Sequence, residues 1–104
     1  MQNTLKSITR GTTPVITVSI DESLEAAETI QLTIKQRSKK LVKEKSDLSI
    51  TDKTVSYHFT QAETLELSAD FPAQLQIRWV KDGEAFATNI VTFSVSDLLQ
   101  DGVI

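Results

Sequence analysis

The sequence predicts an all-β domain, an antiparallel sandwich of about seven strands with one short helical turn. Three observations carry this. Pro72 to Val95 holds two long apolar-alternating runs hinged on Asp82-Gly83, further short β-branched or aromatic runs recur between turn signals, and no stretch shows a long helical period. In the first run Ala73, Leu75, Ile77 and Trp79 alternate with Gln74, Gln76 and Arg78, which makes one face apolar. The chain then returns through Ala85 to Val95. Asp-Gly between two such runs predicts a type I′ hairpin, whose two central residues both need positive φ. Trp79, in phase with Leu75 and Ile77, is expected in the core between two sheets.

The other elements follow in chain order. Leu5 to Arg10 alternates weakly and is broken by Gly11-Thr12-Thr13-Pro14. Val15 to Ile20 is dense in β-branched residues and reads as a strand, flanked only by Pro14 and Asp21. Asp21-Glu22-Ser23 ends it. From Glu28 to Gln36, Ile30, Leu32 and Ile34 share one face, with Gln31, Thr33 and Lys35 on the other. Leu41 to Ile50 fits either two short strands, Leu41-Val42 and Leu48-Ile50, or one bent strand with a bulge near Lys45-Ser46. After a turn at Thr51-Asp52-Lys53, Val55, Tyr57 and Phe59 mark another strand. Thr60-Gln61-Ala62-Glu63 has capping-box spacing, which predicts one helical turn to about Leu65. Strands at this spacing favour an immunoglobulin-like sandwich, with residues 1–104 forming one domain.

Composition removes several kinds of function. The chain has no cysteine, so disulfides, thiolate chemistry and thiolate zinc sites are excluded. Its one histidine, His58, excludes an all-histidine metal site within one chain and is the only candidate base near neutral pH. His58 is out of phase with Tyr57 and Phe59, as expected of a surface residue. Asp21, Glu22 and Glu25 lack the spacing and turn glycine of a calcium loop. The three glycines are scattered and open no phosphate-cradling loop. No catalytic residue, cofactor or metal is expected. No segment reaches the roughly 20 apolar residues that span a bilayer, and the first residues lack the order of a secretion signal. The expected location is the cytoplasm where the chain is made, unless it leaves within a larger particle.

Net charge is −3, mild enough to argue against general affinity for nucleic acid, yet unevenly spread. Lys35, Arg37, Lys39, Lys40, Lys43 and Lys45 make up six of the eleven basic residues, while Asp21, Glu22, Glu25 and Glu28 cluster upstream. One reading of the basic stretch is a solvated hairpin tip whose lysines blunt a strand edge. The other is a patch that docks on an acidic partner surface. Either way it is expected to protrude and to be dispensable for folding. Val103 and Ile104 form an apolar end after Asp101-Gly102, fitting either a fold-back onto the sandwich or docking into a neighbouring subunit. A homo-oligomer built on a strand edge or on this end is a further expectation.

Gly11-Thr12-Thr13-Pro14 before a β-branched strand, Thr60-Gln61-Ala62-Glu63-Thr64, Leu75-Gln76-Ile77-Arg78, Lys81-Asp82-Gly83-Glu84 and the ending Asp101-Gly102-Val103-Ile104 occur in this order. Together they resemble a group of small prophage and phage proteins of Gram-positive bacteria, over nearly the whole chain. These motifs are turn and strand signatures, and the Lys35–Lys45 stretch departs from the pattern. The resemblance implies a virion, tail or baseplate accessory protein with an immunoglobulin-like fold and no catalytic residues. It implies partners among other phage structural proteins, and location in the host cytoplasm during assembly or in the virion; neither nucleic acid nor membrane is expected as a partner, from the charge and the short apolar runs. A phage-encoded regulator that binds a host or phage factor through residues 35–45 is the alternative.

Overall fold

A computed structural model describes residues 7–104; of the weakly alternating Leu5–Arg10 stretch, Leu5 and Lys6 lie outside the described residues. The chain forms β1 (Ile8–Thr9), β2 (Val15–Ser19), β3 (Thr29–Gln36), β4 (Lys39–Glu44), β5 (Ser49–Thr51), β6 (Thr54–His58), α1 (Gln61–Leu65), β7 (Ala73–Lys81), β8 (Glu84–Ala87), β9 (Val91–Phe93) and β10 (Val95–Ser96). One sheet has the order β2-β6-β5; a second has the order β4-β3-β7-β8, with β9 also pairing β7. The inward residues of both enter a single core: Ile16, Val18, Val55 and Tyr57 from the first, Ile30, Leu32, Ile34, Leu75 and Ile77 from the second. Burying each such aliphatic side chain contributes about 1.5–3 kcal/mol. The result is an all-β, sandwich-like fold.

Most ladders are antiparallel, but β1 runs parallel to β10, with Ile8 opposite Val95. The break at Gly11 to Pro14 makes this possible, because it lets one N-terminal run serve two sheets. Gly11 has φ of +72°, and a Cβ there would stand 2.7 Å from Leu98 Cδ1. Of the two readings of residues 41–50, the pair of strands is the one realised, with a single 3-10 turn at Lys45–Asp47 between β4 and β5.

The run from Ala85 to Val95 is not one strand. Arg78 pairs with Ala87, and Leu75 with Val91, so two residues of β7 oppose the three residues Thr88 to Ile90. That is a one-residue β-bulge. Thr88 holds it: its amide donates to Ile77 O at 2.9 Å and its Oγ1 accepts from Ile77 N at 3.1 Å, carrying the ladder across the gap. Side-chain phase inverts there. Thr88 is buried, Ile90 is 57% exposed, and Phe93 and Val95 are buried again.

The expected turn and cap are present. Asp82 and Gly83 both have positive φ, 54° and 79°. Thr60 Oγ1 accepts from Glu63 N, and Thr60 N donates to Glu63 Oε1 at 2.9 Å. Trp79 is buried as expected; its indole stacks on Phe86 and its N–H donates to Glu22 Oε1 at 2.9 Å.

Candidate functional site

The β3–β4 register divides the six clustered cations. Lys39 and Lys43 pair with the inward residues Gln36 and Leu32, which places them on the side of α1. Lys43 Nζ lies 2.9 Å from Glu63 Oε2, with both side chains mostly buried. Tyr57 donates its hydroxyl proton to the same carboxylate at 2.6 Å. Burial pushes the Glu63 carboxyl up, but the hydrogen bonds from Tyr57, the Thr60 amide and Lys43 outweigh it and hold it below the usual glutamate range. Lys43 is raised, first by its hydrogen bond to Glu63. Tyr57 is raised by burial and then by Glu63. Lys39 Nζ donates to Glu66 O at 2.6 Å, Arg37 lies 4.1 Å from the Phe71 ring centroid, and Lys45 Nζ donates to Ala27 O at 2.7 Å. These four cations are therefore engaged within the fold. The expected hairpin is present, turning at Arg37-Ser38 between β3 and β4 with Arg37, Lys39, Lys40 and Lys45 exposed; its second arm, residues 39–44, is a ladder strand, and Lys43 on it is bound to Glu63 of α1.

Lys35 and Lys40 differ. They face each other across the ladder on the outer side of the sheet, and neither meets a carboxylate among the described residues. Around them lie cross-strand rows: Lys40, Lys35 and Gln74; Val42, Thr33 and Gln76; Glu44, Gln31 and Arg78. Ile90, turned outward by the bulge, joins Val42 in lining a shallow concavity of about 390 Å³ that also takes in Lys35, Lys40 and Arg78. Glu44 accepts from Gln31 Nε2 at 3.2 Å at one corner of this face. The outer face is cationic, rich in side-chain amides, and carries two exposed aliphatic side chains. That combination suits an acidic protein surface with some apolar content.

A second cleft of about 360 Å³ runs between β4 and α1 over Ile34, Leu41, Phe59 and Leu67. Lys39 and Glu66, whose charged groups lie 3.9 Å apart, both line it.

The C-terminal stretch is held by its aspartate side chains and by the Ile104 amide, while its apolar side chains stay outside. Arg10 donates to Asp97 at 2.6 Å, to Asp101 at 2.9 Å, and to the carbonyls of Leu67 and Leu65 beyond and at the end of α1. Gln61 Oε1 accepts from Ile104 N at 2.9 Å. Val103 and Ile104 are exposed, and so is Leu99. The fold-back alternative is thus not realised by these side chains. His58 is exposed as expected. Among the described residues no group of three His, Cys, Asp or Glu is placed to hold a metal ion, and no helix is long and apolar enough to cross a membrane.

Sequence reasoning located Lys35 and Lys40 but missed Arg78, Val42 and Ile90 as their neighbours. A signal for Ile90 was present: the aromatic Phe86 stands at an even position of the run, while Val91, Phe93 and Val95 stand at odd ones. No protein-family model matches the chain, and no curated protein does so either.

Proposed function

We propose that this protein is a non-enzymatic structural or assembly component of a phage or prophage particle that works through protein–protein contacts. The outer face of the β4-β3-β7 sheet carries the reading: Lys35 and Lys40 stand side by side, with no ion pair to either among the described residues, beside the exposed Val42 and Ile90. Like charges directly opposite on a sheet oppose folding, so a partner is a better reason for the arrangement than the fold. Exposed Leu99, Val103 and Ile104, on a stretch anchored by Arg10 and Gln61, offer a second contact. The finer assignment, an immunoglobulin-like sandwich, is supported by the orders β2-β6-β5 and β4-β3-β7-β8 with β1 parallel to β10. Other phage structural proteins are the proposed partners, and the proposed location is the host cytoplasm during assembly and then the particle.

Mass spectrometry of purified particles from an induced lysogen tests this. The protein is expected as a particle component, or in complexes with unfinished particles. Recovery only as a free protein or on a soluble host factor would overturn the reading and favour the regulatory alternative.

A further inference from the structure

Charge is distributed along the axis of β3. At the end where β3 begins, the β2–β3 loop carries Asp21, Glu22, Glu25 and Glu28, the β5–β6 turn carries Asp52, the β7–β8 turn carries Asp82, and Glu84 opens β8. These segments are tied together: Leu24 N donates to Asp52 O, Asp82 N to Glu28 Oε1, and Lys81 Nζ to Ser23 O. Seven carboxylates stand there against Lys53 and Lys81 of the same segments. At the other end of β3, Lys35, Arg37, Lys39 and Lys40 stand against Glu66 and Asp70 of the segment packed on Gln36 and Arg37, of which Glu66 lies beside Lys39, leaving an excess of positive charge. The six-residue step from Thr29 to Lys35 separates the two ends by about 20 Å.

We propose that copies of this chain associate head to tail, with the acidic loop end of one copy seated on the basic β3–β4 end and outer face of the next. A heterologous contact of this kind repeats, giving a ring when the rotation closes and a filament when it does not. The occupant is a second copy because the charge that Lys35 and Lys40 lack is present in excess at the opposite end of the same molecule. Nucleic acid fits less well, since among the described residues no aromatic side chain lines the outer-face concavity to stack a base. The inference rests on reading the outer face as a contact surface.

Sedimentation of the purified full chain tests it, at low salt, where the Debye length is about 30 Å, and at high salt, where it is about 3 Å. The wild type is expected to form concentration-dependent oligomers at low salt that dissociate at high salt. Lys35→Glu with Lys40→Glu in one variant, and Glu25→Lys with Glu84→Lys in another, should each weaken self-association roughly tenfold or more. Mixing the two variants should restore association between them. All four positions are exposed, and thermal melts confirm that each variant is folded. If a variant fails to fold, the salt dependence of the wild type still decides. A wild-type chain that stays monomeric at low salt, oligomers indifferent to both reversals, or a basic end that binds a short DNA duplex in place of a second copy would each overturn the proposal. Presence in particles without self-association in solution would sink this inference and leave the function proposed above standing.

Discussion

Lys35 lies directly across the β3–β4 ladder from Lys40, and among the described residues no carboxylate answers either charge. One residue further along the same strands the picture reverses. Lys39 sits beside Glu66, and the inward Lys43 is bound by Glu63. The period of two along a strand thus divides one basic stretch between a structural side and an outward side.

The structural side has a pH signature. Glu63 titrates below its ordinary value in the folded protein, so its stabilisation is complete above the unfolded-state value of about 4.3 and fades as pH falls through the lowered folded one. Lys43 is raised, so its contribution is complete below about 10.4 and fades as pH rises through the higher folded value. Urea unfolding across the acid range should show stability falling with pH, with a shallower fall in Glu63→Gln. That variant keeps an acceptor for the cap but loses the charge, and should cost about 1–2 kcal/mol near neutral pH. An identical acid dependence in the variant would remove Glu63 from this role.

Gln36 continues the buried phase of Ile30, Leu32 and Ile34, and the sequence alone offered no reason for an amide there. Its Nε2 donates to Ser68 O at 2.7 Å and Phe71 O at 2.8 Å, and its Oε1 accepts from Ser68 N at 2.7 Å. Gln36→Leu is expected to cost about 2–4 kcal/mol, because it leaves these backbone groups unpaired where water has poor access. Faster amide exchange at Ser68 should accompany the loss. Unchanged stability would show that the 66–72 segment holds itself.

Gly11 answers two demands at once, a positive φ and close approach to Leu98 and Leu65. Gly11→Ala should destabilise by about 1–3 kcal/mol, from left-handed backbone and crowding. A thermal melt at or above that of the wild type would contradict this.

What the sequence disclosed follows from periodicity and local chemistry. The Asp82-Gly83 turn, the Thr60–Glu63 cap and burial of Trp79 are set by neighbours a few residues away, and each was legible. The parallel β1–β10 pair joins residues at opposite ends of the chain, so no local pattern announces it. Nor could sequence spacing bring Lys43 to Glu63, which depends on α1 crossing beside β4. The continuous reading of Ala85 to Val95 failed because Thr88 mimics a ladder partner, and only the change of phase at Ile90 betrays the bulge. At the candidate site, Lys35 and Lys40 were visible as members of a basic cluster. Which cations are spoken for within the fold required the register.

Thermal unfolding of Lys40→Glu asks most directly whether the outer cations serve a partner at the expense of the fold. Exchanging a like-charge pair for an opposite one should raise stability by about 0.2–1 kcal/mol. A change at the upper end would lift Tm by roughly 4–8 °C in a domain near 100 residues. A lower Tm would mean that Lys40 holds the sheet together, and the outer face would lose its claim to be a contact surface.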